Sequence, residues 1–217
     1  MALTIPRLLR MLRAEYGESN WWPEESTFEI MAGAILTQNA AWVNVEKAVA
    51  NLKRRGLMSP KAIAGASIAR LESAIRPSGF YRQKARYLIA FSKCIVEKYG
   101  GSFELMRARP VDRLRVELLG IPGIGPETAD SILLYALGRP SFVVDAYTYR
   151  LLARLEMTTS KECDATKRLF ESSLRRNVKD YAETHALIVI HWKTRCRKTP
   201  LCGSCPLGDE CPSKRKD

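Results

Sequence analysis

The stretch LGIPGIGPETA at residues 119–129 places three glycines close together in a turn between two apolar segments. Glycine adopts positive φ angles and lets another molecule approach the backbone closely. The amides of Gly123 and Gly125 would face outward at the start of the next helix, where the helix dipole favours an anion. The stretch therefore predicts a phosphate cradle built on Gly120, Gly123, Gly125 and Thr128, and the alternative is an ordinary tight turn between two helices.

Asp145 lies twenty residues beyond Gly125, in the segment VVDAYTY at 143–149. An aspartate directly before a helix is a common N-cap. A carboxylate held at a helix N-terminus near a phosphate-binding turn would also face the sugar of a bound nucleotide. The two roles, helix cap and contact to the sugar, are compatible.

Apolar residues recur at helical spacing along the chain, and no segment alternates apolar and polar residues long enough to require a sheet. Ser26 and Glu29 have the spacing of a capping box. The predicted helices cover 6–16, 27–36, 42–55, 81–99, 111–119, 128–137, 145–156, 164–176 and 180–192. The sequence therefore predicts an all-α fold.

The composition of the chain indicates what class of protein it is and what kind of partner it binds. The chain has 217 residues, of which 46% are hydrophobic and 27% charged, as in a folded soluble protein. No stretch approaches the roughly 20 apolar residues of a membrane span, and the N-terminus has no signal-peptide core. Thirty-five Lys and Arg against 23 Asp and Glu give a net charge of +12, which favours a polyanionic partner over a merely solvated basic surface.

Four of the six cysteines fall within sixteen residues near the C-terminus: Cys196, Cys202, Cys205 and Cys211. Without an export signal we expect a reducing compartment, where clustered thiols usually hold a metal. The spacing C-x5-C-x2-C-x5-C has one close pair, whereas tetrahedral zinc sites usually have two. Four thiolates also hold iron–sulfur clusters of the four-iron type. The spacing favours such a 4Fe–4S cluster, with zinc as the alternative.

Together the hairpin, the aspartate and the cysteine loop resemble the helix-hairpin-helix base-excision DNA glycosylases related to endonuclease III. The similarity runs from about Trp21 to Cys211. The segments most similar to the 3-methyladenine DNA glycosylase III branch are WWP at 21–23, ILTQNAAW at 35–42, RPSGFYRQKA at 76–85, GIGPETADSIL at 123–133 and VVDAYTY at 143–149.

The resemblance implies two helical lobes. A six-helix barrel module would run from 25 to 138 and contain the hairpin at 119–125. Residues 1–24 and 139–217 would form the second lobe, which carries the aspartate and the cysteine loop at 196–211. The family spacing, C-x6-C-x2-C-x5-C, is one residue longer in its first gap than this chain, which affects the expected geometry of the cluster.

The resemblance also implies chemistry at particular positions. The aspartate that matches Asp145 supports cleavage of the N-glycosidic bond by stabilising positive charge on the sugar and orienting water. Bifunctional relatives form a Schiff base through a lysine two residues past the last hairpin glycine. Glu127 occupies that place here and cannot form an imine. Mismatch-adenine relatives carry a glutamate at or beside the place of Gly33, and Glu29 lies a full turn away.

Base recognition is expected to rest on aromatic surfaces. The resemblance places Trp21, Trp22 and Trp42 around a flipped base, where a cationic base would stack more strongly than a neutral one. Core packing is the alternative for each tryptophan. Lys193 matches a lysine near the pocket of this branch, or is one more basic residue beside the DNA.

Base flipping requires side chains that fill the vacated space. Gln38 resembles the family's wedge into the duplex, with Asn39 as the alternative alignment, and Phe80 resembles a second wedge. The alternatives are an exposed glutamine in a turn and a phenylalanine that caps the core. His185 and His191 have no ligand-like partner in the sequence and are assigned to structure.

These observations predict a monofunctional glycosylase of base excision repair that removes an alkylated purine, such as 3-methyladenine, from double-stranded DNA. A cytoplasmic, nucleoid-associated monomer is expected. The alternatives are a glycosylase of the same fold for an oxidised, deaminated or mismatched base, with weak lyase activity, and a non-catalytic DNA-binding module.

Overall fold

The computed structural model describes residues 3–19, 26–157 and 162–215. Within these ranges it contains twelve α-helices and no β-strand. The helices are α1 Ile5–Tyr16, α2 Thr27–Leu36, α3 Trp42–Arg54, α4 Pro60–Ala64, α5 Ile68–Ile75, α6 Tyr81–Tyr99, α7 Phe103–Arg107, α8 Val111–Leu119, α9 Pro126–Ser131, α10 Ala146–Arg154, α11 Cys163–Ser173 and α12 Val178–Thr194. The prediction of an all-α fold is confirmed.

Three of these helices, α4, α5 and α7, have no counterpart among the predicted ones. They contain only 5, 8 and 5 residues, fewer than the window in which helical periodicity can be recognised. Ser59, Ser67 and Ser102 cap them, and each hydroxyl accepts a hydrogen bond from the amide three residues later. Short helices of this kind are marked by their caps rather than by their apolar pattern.

The helix after the hairpin also differs from its prediction. It was expected to cover 128–137, but α9 begins at Pro126 and gives way to a π-helical segment at Ile132–Ala136. Proline suits the first helical position because its missing amide would have no partner there. The start at Pro126 places the Gly125 backbone directly at the helix N-terminus.

The chain divides into two compact units, one formed by Pro23–Arg139 and the other by Met1–Trp22 with Pro140–Asp217. In the first unit, α2 packs against α3, α6 and α9, and α6 packs against α4 and α5. The α2 residues Met31, Ile35 and Leu36 have no exposed surface. This core supports the turn that follows α2 and the hairpin between α8 and α9.

The second unit contains α1, α10, α11 and α12. Helix α12 packs against α1 and α10. The ring of Phe142 stacks on Phe170 at 4.1 Å and meets Tyr181 edge to face. This packing fixes the start of α10, where Asp145 lies. Among the described helices, none is both long and apolar enough to cross a membrane.

Candidate functional site

The hairpin between α8 and α9 depends on glycine at one position above all. Gly123 has φ +83°, and a Cβ built on it would lie 2.2 Å from the ring of Tyr87. Ile121 and Ile124 point into the core on either side of it. The turn therefore exposes Gly120 and Gly125 at the surface.

An ion pair clamps the two helices of the hairpin. The guanidinium of Arg115 in α8 donates to both carboxylate oxygens of Asp130 in α9, at 2.9 and 3.1 Å. Asp130 is fully buried. Bidentate pairs of this kind fix geometry as well as adding energy, so the backbone amides after Gly123 have a defined direction.

Gln38 lies against the hairpin. Its Nε2 donates to the carbonyl oxygen of Gly123 at 2.9 Å and to Oγ1 of Thr128 at 3.0 Å. Thr128 is only 5% exposed. Its hydroxyl therefore faces Gln38, and phosphate binding at Thr128 stays a prediction.

The two other candidate wedges are exposed and have unusual backbone conformations. Asn39 and Phe80 have φ angles of +51° and +45°, a region that non-glycine residues rarely adopt. Phe80 is 65% exposed, and Asn39 is also exposed. A large, exposed apolar side chain on a strained backbone is typical of a residue that contacts another molecule.

Trp42, the first residue of α3, lies across Gly33 of α2. It is 48% exposed, and a Cβ built on Gly33 would lie 3.8 Å from Cη2 of its ring. A larger side chain at Gly33 would occupy the space beside the indole. Trp21 and Trp22, also predicted for the base pocket, lie outside the described residues.

Asp145 is 7% exposed, and its side chain caps α10. Its Oδ1 accepts hydrogen bonds from the amide of Thr148 at 2.7 Å and from the Thr148 hydroxyl at 2.9 Å. Its Oδ2 lies 3.5 Å from Nε2 of His185. Burial alone would raise the pKa of Asp145, but His185 and Thr148 outweigh it and hold the pKa below its ordinary value. The carboxylate is therefore ionised at neutral pH.

His185 is the functional candidate that sequence reasoning missed. It was assigned to structure for want of a partner, but α12 carries it, 9% exposed, to the Asp145 carboxylate. No spacing in the sequence relates the two residues, because the pair forms only where α10 packs on α12.

The four clustered cysteines line one cavity, together with Arg154. Arg154 Nη1 donates to Cys196 Sγ at 3.1 Å, and the amide of Arg215 donates to Cys202 Sγ at 3.4 Å. Such donors stabilise thiolates. In the described part of the chain, no three His, Cys, Asp or Glu side chains are arranged to ligate a single metal ion.

His191, assigned to structure from the sequence, lies between the cysteine loop and α1. Its Nε2 lies 3.8 Å from Cys205 Sγ, while its Nδ1 and the hydroxyl of Tyr16 are 2.9 Å apart. His191 thus connects the cysteine loop to α1.

The sequence of residues 32–178 matches a family described as the HhH-GPD superfamily base excision DNA repair protein. The chain belongs to the HhH-GPD superfamily. A protein of Methanocaldococcus jannaschii named "Putative DNA repair glycosylase" is 47% identical over 212 residues, which cover 97% of this chain and 96% of that protein.

Two further HhH-GPD comparisons cover most of the chain. Endonuclease III of Thermotoga maritima is 29% identical over 194 residues, or 89% of this chain and 86% of that enzyme. The solved structure of H. pylori 3-methyladenine DNA glycosylase bound to 1,N6-ethenoadenine is similar with a TM-score of 0.78 and 30% identity. The similarity covers 88% of this chain and 98% of the H. pylori chain. The chain is thus a DNA glycosylase of this superfamily.

Two charged residues of this HhH-GPD chain lie at helix ends on the surface. Glu127 is exposed in the first turn of α9, at the place where bifunctional relatives were expected to carry lysine. Lys193 is exposed in the last turn of α12, eight residues after His185. Neither residue lies in a buried site.

Proposed function

We propose that this chain is a monofunctional DNA glycosylase that removes alkylated purines, such as 3-methyladenine, from double-stranded DNA. The observation that carries the proposal is the ionised carboxylate of Asp145, held at the N-terminus of α10 by Thr148 and His185. A fixed negative charge in a dry site stabilises positive charge that develops in a transition state.

The reaction needs little else from the protein. As the glycosidic bond breaks, its electron pair leaves with the base and positive charge develops on the deoxyribose. Asp145 stabilises that charge, water adds to C1′, and the water's proton passes to the carboxylate or to solvent. An alkylated purine is already cationic and leaves as a neutral base, so it needs no general acid.

The substrate class is supported by Trp42. Its half-exposed ring lies over a residue without a side chain, Gly33, and an indole face attracts a cation more than a neutral ring. Trp21, Trp22 and Lys193 are proposed to complete the base pocket.

Contacts to the duplex are proposed for the hairpin and the two turns. The backbone of Gly120, Gly123 and Gly125 would bind phosphate, which positions DNA without reading its sequence. Gln38 or Asn39 and, separately, Phe80 would fill the space left by the flipped base. We propose that the enzyme acts as a monomer.

Absence of lyase chemistry is the second part of the proposal. Glu127 stands where a lysine would form the Schiff base, and a carboxylate cannot form an imine. The product would be an intact strand with an abasic site.

We also propose that Cys196, Cys202, Cys205 and Cys211 hold a 4Fe–4S cluster. The donor set fits: four thiols around one cavity, with N–H donors directed at two of the sulfurs. Four thiolates are the usual ligands of such a cluster, which would organise the basic loop rather than take part in hydrolysis. Purified brown protein with about four iron atoms per chain is expected, whereas colourless protein with one zinc would refute the cluster.

A panel of duplexes tests the function. Each carries one defined lesion: an alkylated purine, ethenoadenine, uracil, an oxidised guanine or a mismatched thymine. Alkylated purine should be released fastest, and strands should break only after alkali. Breakage without alkali, together with an adduct trapped by borohydride, would contradict the monofunctional assignment. Preference for a neutral lesion would contradict the alkylpurine assignment.

Replacement of Trp42 tests the substrate class directly. Trp42→Leu keeps an apolar side chain but removes the ring face, so release of a cationic base should fall by about 3- to 30-fold, the range from an exposed to a desolvated cation–π contact. Release of a neutral lesion should change less. An equal loss on both substrates would show that Trp42 does not select for charge.

A further inference from the structure

Lys84, in the first turn of α6, is a buried lysine that the proposed function does not use. It is 2% exposed, and its Nζ donates to the carbonyl oxygens of Leu36 at 2.8 Å and of Ser78 at 2.7 Å. Burial lowers its pKa to about 8. A buried ammonium is costly unless it is hydrogen-bonded, so these two carbonyls define where it lies.

The two carbonyls lie at the start of the two turns that carry the candidate wedges. Leu36 is the last residue of α2 and precedes the turn at 37–40. Ser78 is the last residue of the 3-10 turn Arg76–Ser78 and precedes Gly79 and Phe80. A cation suits the C-terminal carbonyls of helical segments. One ammonium therefore anchors both turns.

Both turns need such an anchor because their backbones are strained. Asn39 and Phe80 have positive φ angles, and each such residue costs of the order of 1 kcal/mol or more unless the surroundings hold it. The turn at 37–40 is also bound to the hairpin through Gln38 and Gly123. Lys84 adds the connection between the two turns.

We propose that Lys84 is a positioning residue that joins the turn at 37–40 to the turn at 78–80, so that both candidate wedges enter a duplex together. The inference rests on the proposed function, because the wedges are part of it. Lys84 acts on extrusion of the base, whereas cleavage of the glycosidic bond depends on Asp145 in the other unit.

Removing the ammonium should separate these two steps. Lys84→Met keeps an unbranched side chain as far as Cε but removes the ammonium, and it leaves the carbonyls of Leu36 and Ser78 buried without that donor. The loss of one or two buried hydrogen bonds predicts about 10- to 100-fold weaker wedge insertion. A base that needs no extrusion should still be cleaved at nearly the wild-type rate.

The first measurement does not require catalysis. A duplex contains a tetrahydrofuran abasic analogue with 2-aminopurine beside it, whose fluorescence rises when the wedges unstack it. The wild type should give this rise and Lys84→Met should lose it. Lys167→Met is the matched control, because Lys167 is a second buried lysine, 8% exposed, in the other unit. Lys84→Gln, which retains a shorter donor, replaces Lys84→Met if the latter does not fold, and should give an intermediate signal.

The second measurement compares single-turnover release of an alkylated purine from paired DNA and from DNA in which the lesion lies in an unpaired bubble. Lys84→Met should be slow on paired DNA and recover on the bubble. A wild-type aminopurine signal in Lys84→Met, equal losses on both substrates, or the same defect in Lys167→Met would overturn the proposal. A wild type that gives the signal but releases no alkylated base would instead refute the proposed substrate while Lys84 keeps its role.

Discussion

The hairpin turn at 120–125 and the carboxylate of Asp145 are fixed in different ways. The hairpin is held by backbone geometry, with Gly123 at φ +83° against the ring of Tyr87. Asp145 is held by the amide and the hydroxyl of a nearby residue, Thr148, and by the side chain of a residue distant in sequence, His185. The hairpin therefore contributes a fixed backbone shape, and Asp145 contributes a fixed negative charge.

This difference predicts how each region fails. A change in the hairpin should lower stability and leave the chemistry of bound substrate intact. A change around Asp145 should alter the reaction or its pH dependence while the fold persists. The substitutions below separate the two cases, because stability and base release can be measured on the same protein.

The largest effect is expected for Asp145→Asn. Asparagine is as good an N-cap as aspartate, so the fold should persist, with only the modest loss of stability that follows from losing the charge beside His185. Base release should fall by about 100- to 1,000-fold, the usual contribution of one electrostatic group at a transition state. Single-turnover kinetics on alkylated duplex measure the loss. A residual rate within tenfold of the wild type would show that the charge of Asp145 is not what drives the reaction.

Gly123→Ala should give the largest loss of stability. Its methyl group would meet the Tyr87 ring at 2.2 Å, on a backbone with φ +83°, so we expect a cost of about 2 to 4 kcal/mol from overpacking and strain. Gly125→Ala is the matched control, because nothing lies within 4 Å of its Cβ and its φ is −87°.

Denaturant unfolding of both hairpin variants decides the point. The free energy of unfolding of Gly125→Ala should fall by no more than about 1 kcal/mol, the cost of a poorer N-cap. Equal stabilities for the two variants would mean that the shape of the hairpin does not depend on Gly123.

The hairpin and the aspartate also differ in how far the sequence predicts them. Gly123 and Gly125 act through turn chemistry, which is local, and they indicated the hairpin directly, whereas the helix start at Pro126 was predicted two residues late. Asp145 was indicated as an N-cap for the same reason. His185 stabilises the ionised form of Asp145, and Lys84 anchors the turns at 37–40 and 78–80. Both residues reach their partners through the packing of helices, which no spacing in one sequence encodes.

The same limit explains what could not be predicted from the sequence. Thr128 lies beside the glycines in the sequence, but α9 turns its side chain toward Gln38. The short helices α4, α5 and α7 carry too few apolar positions to show a period. The all-α class was predictable because α2, α6 and α12 have long apolar patterns.

His185→Ala tests whether the distant partner sets the charge of Asp145. Without the imidazole, burial opposes ionisation of Asp145 and only Thr148 still favours it, so the pKa of Asp145 should rise. Losing an opposing neighbour moves a carboxyl pKa upward by about 1 to 3, so the rate of the variant should fall relative to the wild type as the pH is lowered into the acidic range, where the wild-type carboxylate is still ionised. In the wild type the lowered pKa keeps the carboxylate charged, and its contribution to stability is lost only as pH falls below the ordinary aspartate range.

Single-turnover rates across pH measure this shift. His185→Asn keeps an N–H donor without the imidazole and should fall between the wild type and His185→Ala. Superimposable pH profiles for all three proteins would show that His185 does not act on Asp145, whatever their rates at neutral pH.

Gly33→Ala should have the smallest effect, and its sign is opposite to the others. Gly33 lies inside α2, where alanine is favoured over glycine by about 0.5 to 1 kcal/mol. Its methyl group would lie 3.8 Å from the Trp42 ring, an ordinary contact, so stability should rise and base release should stay within about twofold. Gly33→Leu is the contrast, since a larger side chain must displace the ring. If Gly33→Ala alone abolished release of alkylated purine, the base itself would occupy the space over Gly33. Trp42 would then contact the base from the side instead of stacking on its face.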